Sequence, residues 1–384
     1  MAVTTQDVQF TAPAPVLALA IELSSKEWKL AFATALAEAP RRRTLPAATA
    51  LTALPLEIQR AKRRLGLPAD APVVSCYEIG RDGFWVHRGL QALGIDSLVV
   101  DSSSIEVKRR ARRAKSDGLD VASLVGLLLR HLRGDKKVWS LVRVPTPEQE
   151  DGRQLHRALD SLKEDRTRVT NRIKALLATQ GVHRKLGRDL LTELPQIELA
   201  DHRPLPPGLQ ARLRLEWAQL TLLSAQIQEL ETERARQVAT DGSDPTIQQV
   251  QHLKALRAIG ENTAWLLVRE GLGWREFHNR REVGSFAGLV PTPYQSGEMT
   301  RELGISKAGN ERVRVLMIEI AWAWLRYQPG SALAQWYRAR FAEAGQRARR
   351  IGIVALARKL LVALWRYLTT GVLPDGAILK PATA

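Results

Sequence analysis

The sequence predicts an α/β domain followed by helical regions, an α/β plus α chain, and three observations carry that expectation. Apolar strand-like runs alternate with helical patterns up to about residue 105. Two near-heptad leucine seams then occupy residues 147–245, and the last part returns to helices rich in Trp, Ala, Leu and Arg. The expected regions are 1–146, 147–245 and 246–384.

Residues 16–23, VLALAIEL, read as a strand buried on both faces, with WKLAFAT as its hairpin partner behind a turn-like SSKE. A helical stretch around PLEIQRAKRRLG follows, then the strand VVSCYEIG, the helix FWVHRGLQALG and the strand SLVVDSS. This order suggests some parallel pairing. The next segment carries six basic residues between Lys108 and Lys115 and becomes an apolar helix from about Leu119.

Leu155, Leu159, Leu162, Val169, Ile173 and Leu176 form one seam; Leu213, Trp217, Leu220, Leu223, Ile227 and Leu230 form a second. LPPG at 205–208 breaks the chain between them, so an antiparallel helical hairpin is expected. Its seam would serve either within the chain or in dimerisation. Beyond residue 246, HLKALRAIGENTAWLLVREG has the order helix, tight Ile-Gly turn, helix, in the manner of a helix-hairpin-helix. There Gly260 and the following helix start would offer backbone N–H groups to a phosphate. A loop rich in Gly, Ser and Pro, containing PTPYQSGEMT, comes next.

With 384 residues, 45% of them hydrophobic, the chain can bury a sizeable core. Lys and Arg number 57 against 40 Asp and Glu, a net charge of +17, and the excess comes in clusters that point to a polyanion. Cys76 is the only cysteine, which excludes a disulfide scaffold and a cysteine zinc site. The seven histidines never fall at zinc-ligand spacing, so a metal would be held by carboxylates, which favours Mg²⁺ or Mn²⁺. The N-terminus lacks a signal-peptide pattern, and no apolar run approaches the roughly 20 residues of a membrane span, so a soluble cytoplasmic protein is expected.

Four acids lie where an α/β sheet could gather them: Glu22 and Glu78 at strand ends, and Asp117 and Asp120 three residues apart on one helix face. Clustered carboxylates repel unless a cation sits between them, and a divalent ion there could stabilise charge at a scissile phosphate. The plainer alternative makes Asp117 a helix N-cap and Glu78 a solvated strand end.

IELSSKEWKLAF, YEIGRDGFWVHRGLQALG and KSDGLDVASL resemble the three motifs of the RuvC-like, ribonuclease-H-fold domain of the DEDD transposases, the insertion-sequence-110 family. That pattern is a strand acid followed by Ser and Lys, then Glu-x-Thr-Gly, then Lys-Thr-Asp-x-x-Asp-Ala. Here the first acid is Glu22 rather than Asp, the second motif is Glu78-Ile79-Gly80, and the third is Lys115-Ser116-Asp117 with Asp120. The family's C-terminal block resembles Gly288-Leu289-Val290-Pro291, Ser296-Gly297 and Gly309-Asn310-Glu311-Arg312.

The resemblance implies that Ser296 attacks a DNA phosphodiester to give a covalent phosphoserine, while Glu22, Glu78, Asp117 and Asp120 bind the metal. Gly297 lets a phosphate approach closely, and Lys307, Arg312 and Arg314 could hold it. Tyr294 is the rival nucleophile, and a mere capping role for Ser296 stays open. The resemblance also implies donor and target DNA, a noncoding guide RNA, and a homodimer or homotetramer with composite sites. Lys108, Arg109, Arg110, Arg112, Arg113 and Lys115, with KRRLG at 62–66 and QRARR at 346–350, would meet nucleic-acid backbones. Two rivals remain: a metal-only nuclease of the junction-resolvase type, and a non-catalytic nucleic-acid-binding relative.

Overall fold

Strand β1 (Leu17–Leu23) is buried over its first five residues because it lies at the centre of a five-stranded sheet. In the computed structural model the described residues are 15–381, apart from 37, 81–82, 102–103, 106–116, 136, 188, 200–201, 241 and 297–298; of 117–120, 240 and 293–303 only the backbone is described. The chain forms two compact units, Met1–Pro145 and Thr146–Ala384.

In the first unit β2 (Glu27–Ala33) returns antiparallel to β1, and β3 (Arg41–Pro46) adds antiparallel to β2. β4 (Val73–Glu78) and β5 (Asp96–Val100) extend the other side in parallel, giving the order β3-β2-β1-β4-β5. Alternation along β1 splits its side chains between two layers. Leu17, Leu19 and Ile21 pack with α1 (Ala50–Arg64) and α2 (Trp85–Ala92). Ala18 and Ala20 pack with α3 (Asp117–Leu132) through Val121, Leu124, Val125 and Leu128. Small residues on that face bring α3 close to the sheet. The strand β3 was not among the expected elements: its three arginines carry no apolar alternation, and pairing to β2 imposes the extended backbone.

The second unit opens with α4 (Pro147–Asp151), closed by a capping box between Thr146 and Gln149. The expected hairpin is α5 (Gln154–Ala178) against α7 (Pro207–Thr240), with the short α6 (Leu190–Glu193) between them. Lys163 pairs with Glu231 and Arg172 with Glu216, so the two helices run antiparallel. Leu159, Val169, Ile173, Leu213, Leu223 and Ile227 are buried, so the seam read from the sequence is used within the chain.

The remainder packs around the fully buried Trp265 and Trp324: α8 (Pro245–Ala255), α9 (Glu261–Leu267) continued by a π-helical turn Val268–Leu272, α10 (Arg280–Phe286), α11 (Glu311–Tyr327), α12 (Ala332–Phe341) and α13 (Gln346–Thr370). A second element departs from expectation. PTPYQSGEMT is not an irregular loop but a two-stranded hairpin, β6 (Pro291–Ser296) with β7 (Met299–Ile305). Turn-type residues concentrate there because the hairpin bulges between Pro291 and Pro293 and reverses after Ser296. Among the described residues no helix is long and apolar enough to cross a membrane.

Candidate functional site

In the first unit, β1 and β4 run parallel with Ile21 beside Tyr77, so the next step along both strands sets Glu22 beside Glu78, about 4.8 Å away in the backbone. Both acids share the parity of the residues that face α3, Ala20 on β1 and Cys76 on β4. Asp117 and Asp120 open α3, which packs on β1, β2 and β4. The backbone therefore brings one end of α3 and two strand-end carboxylates to the same layer. The side chains of Asp117 and Asp120, and all of Lys108, Arg109, Arg110, Arg112, Arg113 and Lys115, lie outside the described residues. An oxygen-only donor pair on adjacent strands suits a hard divalent cation.

In the second unit Ser296 is the last residue of β6 and is paired with Met299, so it stands at the hairpin's turn; Gly297 lies outside the described residues. What fixes the hairpin is its base. Gly288 has φ +65° and Gly309 φ +115°, a region that favours glycine. A Cβ on Gly288 would lie 2.2 Å from the carbonyl oxygen of Ala308, and one on Gly309 would lie 2.5 Å from that of Phe286. The segments before β6 and after β7 thus cross backbone to backbone. Hydrogen bonds from Lys307 N to Gly288 O (3.2 Å), Ser306 N to Val290 O (2.8 Å) and Asn310 N to Phe286 O (2.7 Å) close the crossing.

Two of the three cations proposed as phosphate ligands are engaged in this mount. Arg314 donates to the carbonyls of Ala287 (3.3 Å) and Lys307 (2.8 Å), and Arg312 forms an ion pair with Asp160 of α5. Lys307, at φ +55°, lines a groove described below.

Below the crossing sits a carboxylate that sequence reasoning missed. Glu270, on the π-helical turn, is fully buried and accepts from His156 Nε2 (2.8 Å), from Arg157 Nε (2.8 Å) and Nη2 (3.0 Å), and from Asn310 Nδ2 (2.8 Å). Burial alone would raise its pKa, but the hydrogen bonds from His156 and Arg157, the Arg157 charge and the Asn310 amide outweigh it, and the carboxyl is held well below the usual range. Arg157 is correspondingly raised, first by its hydrogen bonds to Glu270. A glutamate inside a helical pattern carries no sequence mark of this role. Asn310 directly after Gly309, an N-cap pattern, was the available signal.

Gly260 caps α9 in an extended conformation, φ −83° and ψ 169°, and the left-handed residue of the α8–α9 turn is Ala258 at φ +75°. Lys380 Nζ donates to the carbonyls of Lys254 (2.6 Å) and Ile259 (2.7 Å), so the chain near its C-terminus braces this turn.

A groove of about 1380 Å³, larger than a typical small-molecule pocket, runs beside the hairpin base between α10 and α13. Pro291, Gly304 and Ile305 of the hairpin line it, and Val354, Val362 and Leu373 add apolar lining. Its rim carries Arg280, Arg281, Lys307, Arg358, Lys359 and Arg366 against Asp375 alone among acids. The spacing Arg358, Val362, Arg366 puts the two arginines on one stripe of α13, a signal legible beforehand. By contrast, a second cleft between α5 and α11 alternates Arg157, Lys163, Arg168 and Arg312 with Asp160, Glu164, Glu311 and Glu319, and offers a polyanion no net attraction.

Comparison with known proteins adds three relatives and a family. Residues 250–337, from α8 through the hairpin to α12, match the family described as Transposase IS116/IS110/IS902. The chain is 45% identical over 321 residues, 80% of each chain, to "Putative transposase y4rJ" of Sinorhizobium fredii. It is 31% identical over 235 residues to the transposase for insertion sequence element IS1328 of Yersinia enterocolitica, covering 59% of this chain and 66% of that one. With the transposase for insertion sequence element IS1111A of Coxiella burnetii it shares 28% identity over 286 residues, 74% of each chain.

Proposed function

As the chain belongs to the IS116/IS110/IS902 transposase family, we propose that it cuts and rejoins the DNA of its insertion sequence through Ser296. The observation that carries this reading is the hairpin: a strand ending on Ser296, clamped at its base and standing beside a groove rimmed by six cations.

The chemistry is a transesterification. The Ser296 hydroxyl oxygen attacks the phosphorus of a phosphodiester, a P–O bond to serine forms as the bond to one deoxyribose oxygen breaks, and the hydroxyl proton passes to a neighbouring base. A carboxylate of the acidic set is the group suited to take that proton and to return one to the departing oxygen. Because one phosphodiester replaces another, a free deoxyribose hydroxyl can reverse the step on a different strand without outside energy. Groove cations grip the phosphates on either side and keep the scissile one in register.

Glu22, Glu78, Asp117 and Asp120 would hold Mg²⁺ or Mn²⁺. Such an ion supplies charge stabilisation at the scissile phosphate. The sheet order, three antiparallel strands followed by two parallel ones with acids at the ends of β1 and β4, supports a ribonuclease-H-like, RuvC-like assignment for the first unit. The family resemblance of the motifs supports guidance by a noncoding RNA and an oligomer in which acids and serine meet in composite sites.

The test incubates protein carrying its RNA with donor DNA, target DNA and Mg²⁺, then denatures the mixture and looks for DNA covalently attached to protein. An adduct that vanishes in Ser296→Ala supports the serine mechanism. Free cleaved ends in both samples would move the chemistry to the carboxylates and make the hairpin a clamp.

A further inference from the structure

The groove beside the Ser296 hairpin carries more carbon than a surface that grips phosphates alone would use. Helix α13 lines it with residues that alternate in kind: Ile351 and Val354, then Arg358, then Val362, then Arg366. Steps of three and four keep these positions on one stripe, about 22 Å long. Beyond the helix, Val372 and Leu373 add to the same lining. Ile351 is 55% exposed and Val372 69%, so aliphatic carbon faces water there.

We infer that the groove takes an unpaired DNA strand, with bases against the apolar lining and phosphates on the cations between. The alternation along α13 selects this occupant. An unpaired polynucleotide repeats an anion and a flat ring with apolar faces, so one chain meets both kinds of lining. A duplex keeps those ring faces stacked inside and presents charged phosphates, which lose hydration against aliphatic carbon. A small anion would use the cations and leave the carbon bare. Apart from the cations, the polar side chains among the described lining residues are Thr370 and Asp375, so the bases are held without their edges being read.

The inference rests on the reading that DNA is cut at this hairpin, and it names the form of DNA that the neighbouring surface prefers. Pro291, Gly304 and Ile305 make the groove continuous with the hairpin base, which favours the cut DNA over the guide RNA as the source of the strand. The strand next to the scissile phosphate is then held with its duplex locally opened.

The experiment measures binding of the full chain, freed of nucleic acid, to fluorescent oligothymidine of about 20 nucleotides and to the same strand annealed to oligodeoxyadenosine. Ile351→Ser combined with Val372→Ser removes carbon without altering charge. It should weaken single-strand binding about tenfold and leave duplex binding within about twofold. Ile351→Leu combined with Val372→Ile should bind as wild type, a rescue that misfolding cannot imitate. Arg358→Gln should weaken both forms, because the cations attract either one. An oligothymidine carrying a photoreactive thiothymidine should crosslink through its base to α13. Equal losses for the two DNA forms, no loss for either, or a selective loss seen only with oligouridine would overturn the inference. So would self-association abolished by the serine pair, since the apolar lining would then belong to a protein contact. The chemistry fails separately: strand-selective binding without any covalent adduct would remove the Ser296 reading and leave the groove as a DNA site.

Discussion

Asn310 joins two jobs in one side chain: its amide oxygen accepts from Val313 N at 3.1 Å and caps α11, while its amide nitrogen donates to the buried Glu270 at 2.8 Å. The start of α11 is thereby tied to the π-helical turn and, through His156 and Arg157, to α5. Since Asn310 directly follows the Gly288–Gly309 crossing, the base of the Ser296 hairpin is fastened to three helices at once. Asn310→Ala should cost about 1–2 kcal/mol in urea unfolding, from the lost cap and from one unmet acceptor on Glu270.

Glu270→Gln removes a charge that His156 and Arg157 are arranged to meet. Arg157 is 39% exposed and can turn to solvent, so the loss should be about 2–3 kcal/mol rather than that of a fully buried pair. The sign of its pH dependence follows from the depressed folded-state pKa. The stabilisation is fully present above the ordinary carboxylate range, near pH ~4.3, and is lost as pH falls below it. Wild-type stability should fall progressively as pH drops from about 5 down through the depressed folded-state pKa of Glu270. The glutamine variant should show a flatter acid limb.

Gly309→Ala and Gly288→Ala each place a methyl group within 2.5 Å of a carbonyl oxygen on top of a left-handed backbone. Each should cost about 2–4 kcal/mol and lower strand transfer. Gly304, also left-handed at φ +86° but with open space around it, is the control: Gly304→Ala should cost only about 1 kcal/mol. Equal losses at all three positions would mean that the crossing is not specially tight.

Arg358→Gln and Arg366→Gln should leave α13 folded and weaken DNA binding across sequences alike. Each should flatten the plot of log affinity against log salt by about 0.9 if it meets one phosphate. An unchanged slope in both would remove the groove from the DNA path.

Burial raises the Cys76 thiol pKa strongly, so almost no thiolate exists at neutral pH. Alkylation by iodoacetamide should be negligible in the native state and complete in urea. Labelling of native protein would indicate opening of the α3 layer.

Legibility of the fold tracked how far each element makes its own pattern. VLALAIEL and the leucine seams of α5 and α7 carry period and burial in their residues, and both stand where the pattern sets them. β3 and the β6–β7 hairpin do not: Arg41–Arg43 and PTPYQS are extended because a neighbouring strand pairs with them. The acids Glu22 and Glu78 were legible because a strand end is legible, and the register then sets them side by side. Glu270 was not, since what distinguishes it is three partners drawn from residues 156, 157 and 310, a long-range fact with no local mark. Arg314 illustrates the converse: a cation beside a serine motif reads as a phosphate ligand, yet its guanidinium is aimed at two backbone carbonyls.

The Gly288–Gly309 crossing makes the hairpin a cantilever. Ser296 stands about 17 Å along β6 from Pro291, so a small rotation at the clamp is magnified into a larger displacement of the backbone at Ser296. A load applied at the tip returns to the crossing as torque. Aim at the far end is therefore set by a crossing where no side chain fits between two backbones.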